Sequence, residues 1–203
     1  MVRRELLMDA REIVENEFRM LATGDVELAH RVISPDHVNH MALDEPPACR
    51  VPGVPGMLAT GVWLRTAFSD LRWDILDFIE SGDRACAFTE MCAVHTGPFI
   101  VYPPGAKPKV FPATGRPIRV RQAHIDTFKG GKTDSHIAVR DDLAMMTQLG
   151  YLPPNPRAMF RLARHELLGR NRRAVREVTR AAADVADAAS TTNHNRHSGR
   201  SLD

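Results

Sequence analysis

The sequence predicts an α+β protein with helices at both ends and antiparallel hairpins between them. Residues 4–21 carry Leu6, Leu7, Ala10, Ile13, Val14, Glu17, Phe18 and Leu21 at helical spacing, with charges covering the other side. Residues 71–95 and 118–140 alternate side chains about short glycine turns, Ser81-Gly82-Asp83 and Lys129-Gly130-Gly131-Lys132. Residues 157–185 return to helical periodicity after Pro153, Pro154 and Pro156.

Asp25 follows Thr23-Gly24 and can cap a second helix through Leu28 and Val32, which Ser34-Pro35-Asp36 ends. Residues 37–41 form a short strand with His37 and Asn39 on one face and Val38 and His40 on the other. Residues 44–56 are too rich in proline for helix or central strand and read as a loop; residues 57–67 are helical. In the first hairpin Leu71, Trp73, Ile75, Asp77 and Ile79 share a face; on the return strand, residues 84–95, Ala85, Ala87, Thr89, Met91 and Ala93 do. Residues 96–112 are a proline-rich excursion, an insertion that would be a lid, an oligomer contact or a plain surface loop. On the strand at residues 118–128, Ile118, Val120, Gln122, His124, Asp126 and Phe128 share one face. Residues 133–140 return antiparallel, and Asp141 caps a last short helix ending at Gly150.

Composition bounds the function. Of 203 residues 43% are hydrophobic, enough for a sizeable core, and a formal charge of +2 is too small to argue for nucleic acid. The basic excess lies beyond Arg157, where a solvated helix is the plain reading and anionic lipid or nucleic acid the sharper one. No run reaches the ~18 apolar residues of a membrane span. Residues 1–14 lack the pattern of a signal peptide. Cys49, Cys86 and Cys92, odd in number and without metal-site spacing, predict reduced thiols in a cytoplasmic protein. No phosphate loop, nucleophile elbow or dinucleotide fingerprint is present, so neither metal nor cofactor is expected. Residues 188–203, polar and small, read as a disordered tail.

The chemistry-bearing residues concentrate in the second hairpin. His124, beside Gln122 and Asp126 on one strand face, is either a hydrogen-bonded core histidine or a group that gives or takes a proton. His136 alternates with Ala138 and Arg140 on the neighbouring strand and titrates near neutral pH. Asp141 is a weaker catalytic candidate, since helix capping alone explains an aspartate there. His40, Phe18 and Trp63 are candidate pocket walls, with ordinary core packing as the alternative.

The succession Ala113-Thr114-Gly115-Arg116-Pro117, His124-Ile125, Gly131-Lys132, Asp141-Asp142-Leu143 and Gln148-Leu149-Gly150, preceded by His95-Thr96-Gly97-Pro98-Phe99, resembles the SnoaL-like polyketide cyclase (ester cyclase) family of the nuclear transport factor two-like superfamily. The likeness covers residues 7–152. It implies a cone-shaped curved antiparallel sheet wrapped around N-terminal helices and an apolar pocket, with residues 153–187 as a helical extension. Members often read Glu-His-Trp-Asp where this chain has Ser135-His136-Ile137-Ala138, so the aspartate that ring-closing relatives use as acid/base falls at Ala138.

The resemblance implies an enzyme that needs no cofactor and closes a ring by an intramolecular aldol reaction on an apolar, carbonyl-bearing substrate. His124, His136 or Asp141 would act as base and Gln122 as donor or orienting group, with His40, Phe18 and Trp63 around the substrate. The missing aspartate favours a competing class, a ligand-binding or assembly protein on the same scaffold. A cofactor-free hydroxylase or epoxide hydrolase is a third. The fold's exposed sheet face commonly pairs, so a homodimer is expected.

Overall fold

The computed structural model of the protein describes residues 8–198, with side chains described through Thr191; the first residues of the expected N-terminal helix, and 199–203 of the expected tail, lie outside the described residues. Helix α1 (Ala10–Thr23) starts at Asp9, whose carboxylate accepts from the Glu12 N–H at 2.7 Å. Helix α2 (Val26–Val32) is capped in the same way by Asp25, from the Leu28 N–H at 2.9 Å. Strand β1 (Ile33–Asn39) then begins at once, so Ser34-Pro35-Asp36 lies inside a strand and does not interrupt the chain. An edge strand tolerates Pro35, which has no N–H to give.

After two short 3-10 turns, helix α3 (Val54–Ala67) begins three residues before the expected start, with Pro55 in its first turn. Strands β2 (Phe68–Ser81), β3 (Arg84–His95), β6 (Pro117–Lys129) and β7 (Lys132–Arg140) join β1 in a five-stranded sheet of order β1-β7-β6-β3-β2. The sheet is mixed, because β1 runs parallel to β7 while the other neighbours are antiparallel. The alternation read along β2 also fails at its far end. The pairing of β2 shifts between Ile75 and Asp77, so Phe78 turns half-inward and Ile79, expected beside Trp73, is 63% exposed. Along β3 and β6 the expected inward faces hold.

The excursion at 96–112 is not a plain surface loop. It folds into a hairpin of β4 (Phe99–Val101) and β5 (Lys109–Phe111) whose Phe99, Ile100 and Val110 are buried in the core with Trp63, Phe68 and Leu149. The Trp63 indole donates to the Ile100 carbonyl at 2.8 Å, which ties this hairpin to α3. Gly97 lies so close to the end of α3 that a Cβ there would stand 1.9 Å from the Thr66 carbonyl oxygen.

Helix α4 (Asp142–Leu149) packs against β6 and is followed by α5 (Pro156–Leu167) and α6 (Arg170–Ser198). The basic segment is two helices parted at Gly169, where the sequence suggested one. The second runs past residue 188, where a disordered tail was expected. It does so because Ala174, Val178, Ala182, Ala186 and Ala189 are buried along one side and α6 packs on α3. Short side chains allow that close approach, and Ala182 has no exposed surface. Ala182→Leu should therefore lower the unfolding free energy by about 1–3 kcal/mol in urea titration, while Asp187→Ala on the exposed side should change it by less than about 0.5 kcal/mol.

Candidate active site

Between the concave face of the sheet and helices α1 and α3 lies a chamber with about 680 Å³ of empty space, counting its opening to solvent. Its walls are mostly apolar: Phe18, Leu21, Met57, Trp63, Trp73 and Met145 among them. A second lobe of about 580 Å³ shares Trp63, Phe99, Arg140 and Met145 with the first and is walled by the β4–β5 hairpin through Val101 and Phe111. The excursion is thus part of the chamber's outer wall.

Into the inner lobe project His124 from β6 and His136 from β7. The strands are registered so that His124 opposes Ala138 and His136 opposes Asp126, which sets the two imidazoles diagonally on one face. His124 Nδ1 lies 3.0 Å from His136 Nε2, and His124 Nε2 lies 2.9 Å from Gln122 Oε1. Trp73 Nε1–H donates to the same Gln122 oxygen at 2.9 Å. At the other end His136 Nδ1 lies 3.2 Å from Asn39 Oδ1, which also accepts from the Met41 N–H at 3.0 Å. Asn39 in turn bonds Glu45, whose Oε2 accepts from the Thr60 hydroxyl at 2.6 Å. Phe18 stacks on Trp73 and meets His124 edge-on, with ring centroids 5.2 Å and 4.9 Å apart.

Trp73 and the Met41 backbone can only donate, so oxygens of Gln122 and Asn39 face the imidazole pair from both ends. A neutral pair owns two N–H groups for three contacts; a third proton would fill them all. Burial opposes that proton, pushing the His124 pKa from 6.5 down to about 3, roughly 5 kcal/mol against charging it. One more hydrogen bond to a charged group returns only about 1.5–3 kcal/mol. Burial wins. The pair is neutral at neutral pH, with every ring nitrogen facing a polar partner and none left open to the chamber.

The sequence-derived candidates separate cleanly. Gln122, His124, His136, Phe18 and Trp63 all line the chamber. His40 does not: it is exposed in the turn just past the end of β1, while Asn39 and Met41 on either side of it line the chamber. Asp141 does not either. Its carboxylate caps α4 by accepting from the Ala144 N–H at 2.9 Å, and the chamber carboxylate there is Asp142, 3.6 Å from Arg140 Nη2. Ala138 sits on the wall with no acid to offer.

Sequence reading passed over Glu17, Glu45 and Asn39. Glu17 had a signal, a carboxylate on the apolar stripe of α1; Glu45 had none inside its proline-rich loop. Glu17 is 3% exposed, accepts from the Thr133 hydroxyl at 2.9 Å, and is pushed up from 4.5 to about 7 by burial. Among the described residues one group has metal-ligand geometry, Asp74, Glu90 and Cys92 on the outer side of the sheet. Arg119 and Arg72 already pair with its two carboxylates.

The model of the SnoaL-like polyketide cyclase family matches residues 12–149. The chain belongs to that family. Solved structures share the fold. TsrD from Streptomyces laurentii is 23% identical, with 71% of this chain and 99% of that one covered and a TM-score of 0.57. IdmH from Streptomyces antibioticus, described as a candidate polyketide cyclase, is 24% identical over 69% of this chain and 97% of its own, with a TM-score of 0.54. Another candidate polyketide cyclase, from Acidithiobacillus ferrooxidans, is 25% identical over 70% and 98%, with a TM-score of 0.54. No curated protein matches the chain in sequence. The family match ends at the end of α4, so α5 and α6 are this chain's own addition to the matched region. No described helix is long and apolar enough to cross a membrane.

The buried histidines set the protein's acid response. His37, His95 and His124 have pKa values lowered by burial to about 4, 4 and 3, against 6.5 in an unfolded chain. At these histidines the unfolded state binds more protons between these values, so their contribution to stability is full above pH 6.5 and is lost as pH drops toward 4, while buried Glu17, raised to about 7, contributes with the opposite sign. The urea midpoint of His95→Gln relative to wild type should therefore rise as pH drops from 7 to 4.

Proposed function

We propose that this family member is an enzyme that closes a ring by an aldol-type reaction on an apolar substrate carrying two carbonyl groups. The observation that carries this is the neutral imidazole pair, buried among aromatic walls and tied at both ends to fixed oxygens. Such a pair is a preorganised donor. A substrate carbonyl entering the chamber takes the His124 Nε2–H from Gln122, which keeps its bond to Trp73. His124 then holds the oxygen as it gains charge during enolisation. His136 fixes the tautomer from behind. In a dry, low-dielectric space a hydrogen bond to a developing oxyanion is worth far more than in water.

The apolar walls suit a polycyclic or aromatic skeleton, with Arg140 and Asp142 at the waist between the lobes for its polar substituents. One observation favours a second reading. Ala138 stands where ring-closing relatives place an aspartate, which suits a protein that binds such molecules without turning them over. We also propose a homodimer through the outer sheet face, where Phe88, Ile125, Ile137 and Val139 leave apolar side chains exposed on neighbouring strands.

Incubation with aromatic diketones and β-keto esters, read by mass spectrometry and NMR, should give ring-closed products. His124→Gln should lower kcat by about 100-fold or more. Unchanged turnover in that variant would remove His124 from the mechanism, and saturable binding without product would favour the binding reading. Val139→Glu should shift the protein from dimer to monomer in sedimentation velocity.

A further inference from the structure

The reading above supplies a group for the carbonyl oxygen but none for the proton on carbon. Neutral imidazoles with strongly lowered basicity are poor acceptors at neutral pH, and both rings already have their nitrogens engaged. The position on β7 that would offer an acid is Ala138. Three other carboxylates reach the chamber wall. Asp142 stands at the mouth beside Arg140, half exposed. Glu45 is tied down by Thr60, Cys49 and Asn39 and lies under the influence of Arg140. The third is Glu17.

We propose that Glu17 is the general base of the chamber, taking the role left open by Ala138. The proposal rests on the functional reading above and adds the proton acceptor to it. Glu17 from α1 lines the inner lobe together with His124 and His136 from the sheet. One carboxylate oxygen is fixed by the Thr133 hydroxyl, which aims the group and leaves the other oxygen for a ligand. The titratable group acting with it is Asp126 from β6; His124 and His136 line the same lobe, as do Met57 from α3 and Trp73 from β2. Asp126 is itself buried, with one oxygen lacking any hydrogen-bond partner, and burial together with the Glu17 charge pushes its carboxyl well above the usual range. Burial places Glu17 near the working pH of a base, while burial drives His124 the opposite way. Two titratable groups pushed apart by one environment divide the work between an acid and a base. In the step itself, the free Glu17 oxygen takes the proton alpha to the substrate carbonyl. The C–H electron pair becomes the enolate, whose oxygen His124 holds. The enolate carbon then bonds the second carbonyl carbon, and the new alkoxide recovers the proton from the Glu17 carboxylic acid.

The test needs no knowledge of the natural substrate. A nitrobenzisoxazole loses its ring-carbon proton to a desolvated carboxylate, the N–O bond breaks, and a coloured cyanophenolate results. The wild-type protein should accelerate this elimination with a rate that rises with pH through a midpoint near 7. Glu17→Gln keeps the Thr133 bond and the shape, and should cut the rate by about 10-fold or more. Carbon-detected NMR titration of the wild-type glutamate carboxyls gives the same midpoint without any variant. A Glu17→Gln protein with the wild-type rate, or a rate lost in His124→Gln instead, would overturn the assignment. Elimination that depends on Glu17 in a protein that closes no ring would sink the ring-closing reading and leave the base in place.

Discussion

The register between β6 and β7 is the constraint on which the rest of the site depends. Gly130 and Gly131, both with positive φ, make the tight turn that joins these strands. Side chains on a strand alternate, so a slip of one residue would send every inward group of one strand to the outer surface. In the observed register Gln122, His124 and Asp126 face the same space as His136, Ala138 and Arg140. The imidazole pair exists because of that pairing.

Around the hairpin, the fold solves one problem, which is how to keep polar side chains in an apolar chamber without leaving them unpaired. The solution is a single line from Trp73 through Gln122, His124, His136 and Asn39 to Glu45 and Thr60, drawn from five elements of structure. Each member is satisfied by the next, apart from the proton that a neutral pair lacks. Burial keeps that contact unfilled at neutral pH. The same burial that keeps the imidazoles neutral raises Glu17 and Asp126, so one dielectric environment sorts the chamber into donors and acceptors.

The elements outside the family match serve the chamber at a distance. Helix α6 covers α3 with small residues, and Tyr102, just beyond β4, reaches Thr179 on α6 with 3.1 Å between the two hydroxyl oxygens. The hairpin that walls the outer lobe is therefore braced by the C-terminal helix. The wall of the outer lobe thus leans on a part of the chain that lines neither lobe.

Local chemistry was legible from the sequence by itself. Asp9 lay inside the expected first helix, but Asp25, Asp141 and Gly150 marked helix ends, the Gly130-Gly131 turn marked the hairpin, and alternation put Gln122, His124 and His136 on inward faces. Those signals lie within a few residues of what they determine. What the sequence could not decide was anything set by partners distant along the chain. His40 was expected in the pocket and Asn39 overlooked, because a strand's inner face is defined by what packs on it. Glu17 looked like an oddity on an apolar stripe until Thr133, 116 positions away, and Asp126 gave it surroundings. The proline-rich excursion became a wall only through Trp63 and Tyr102. Burial is a property of the assembled fold, and burial is what turns an ordinary carboxylate and two ordinary imidazoles into a base and a neutral donor.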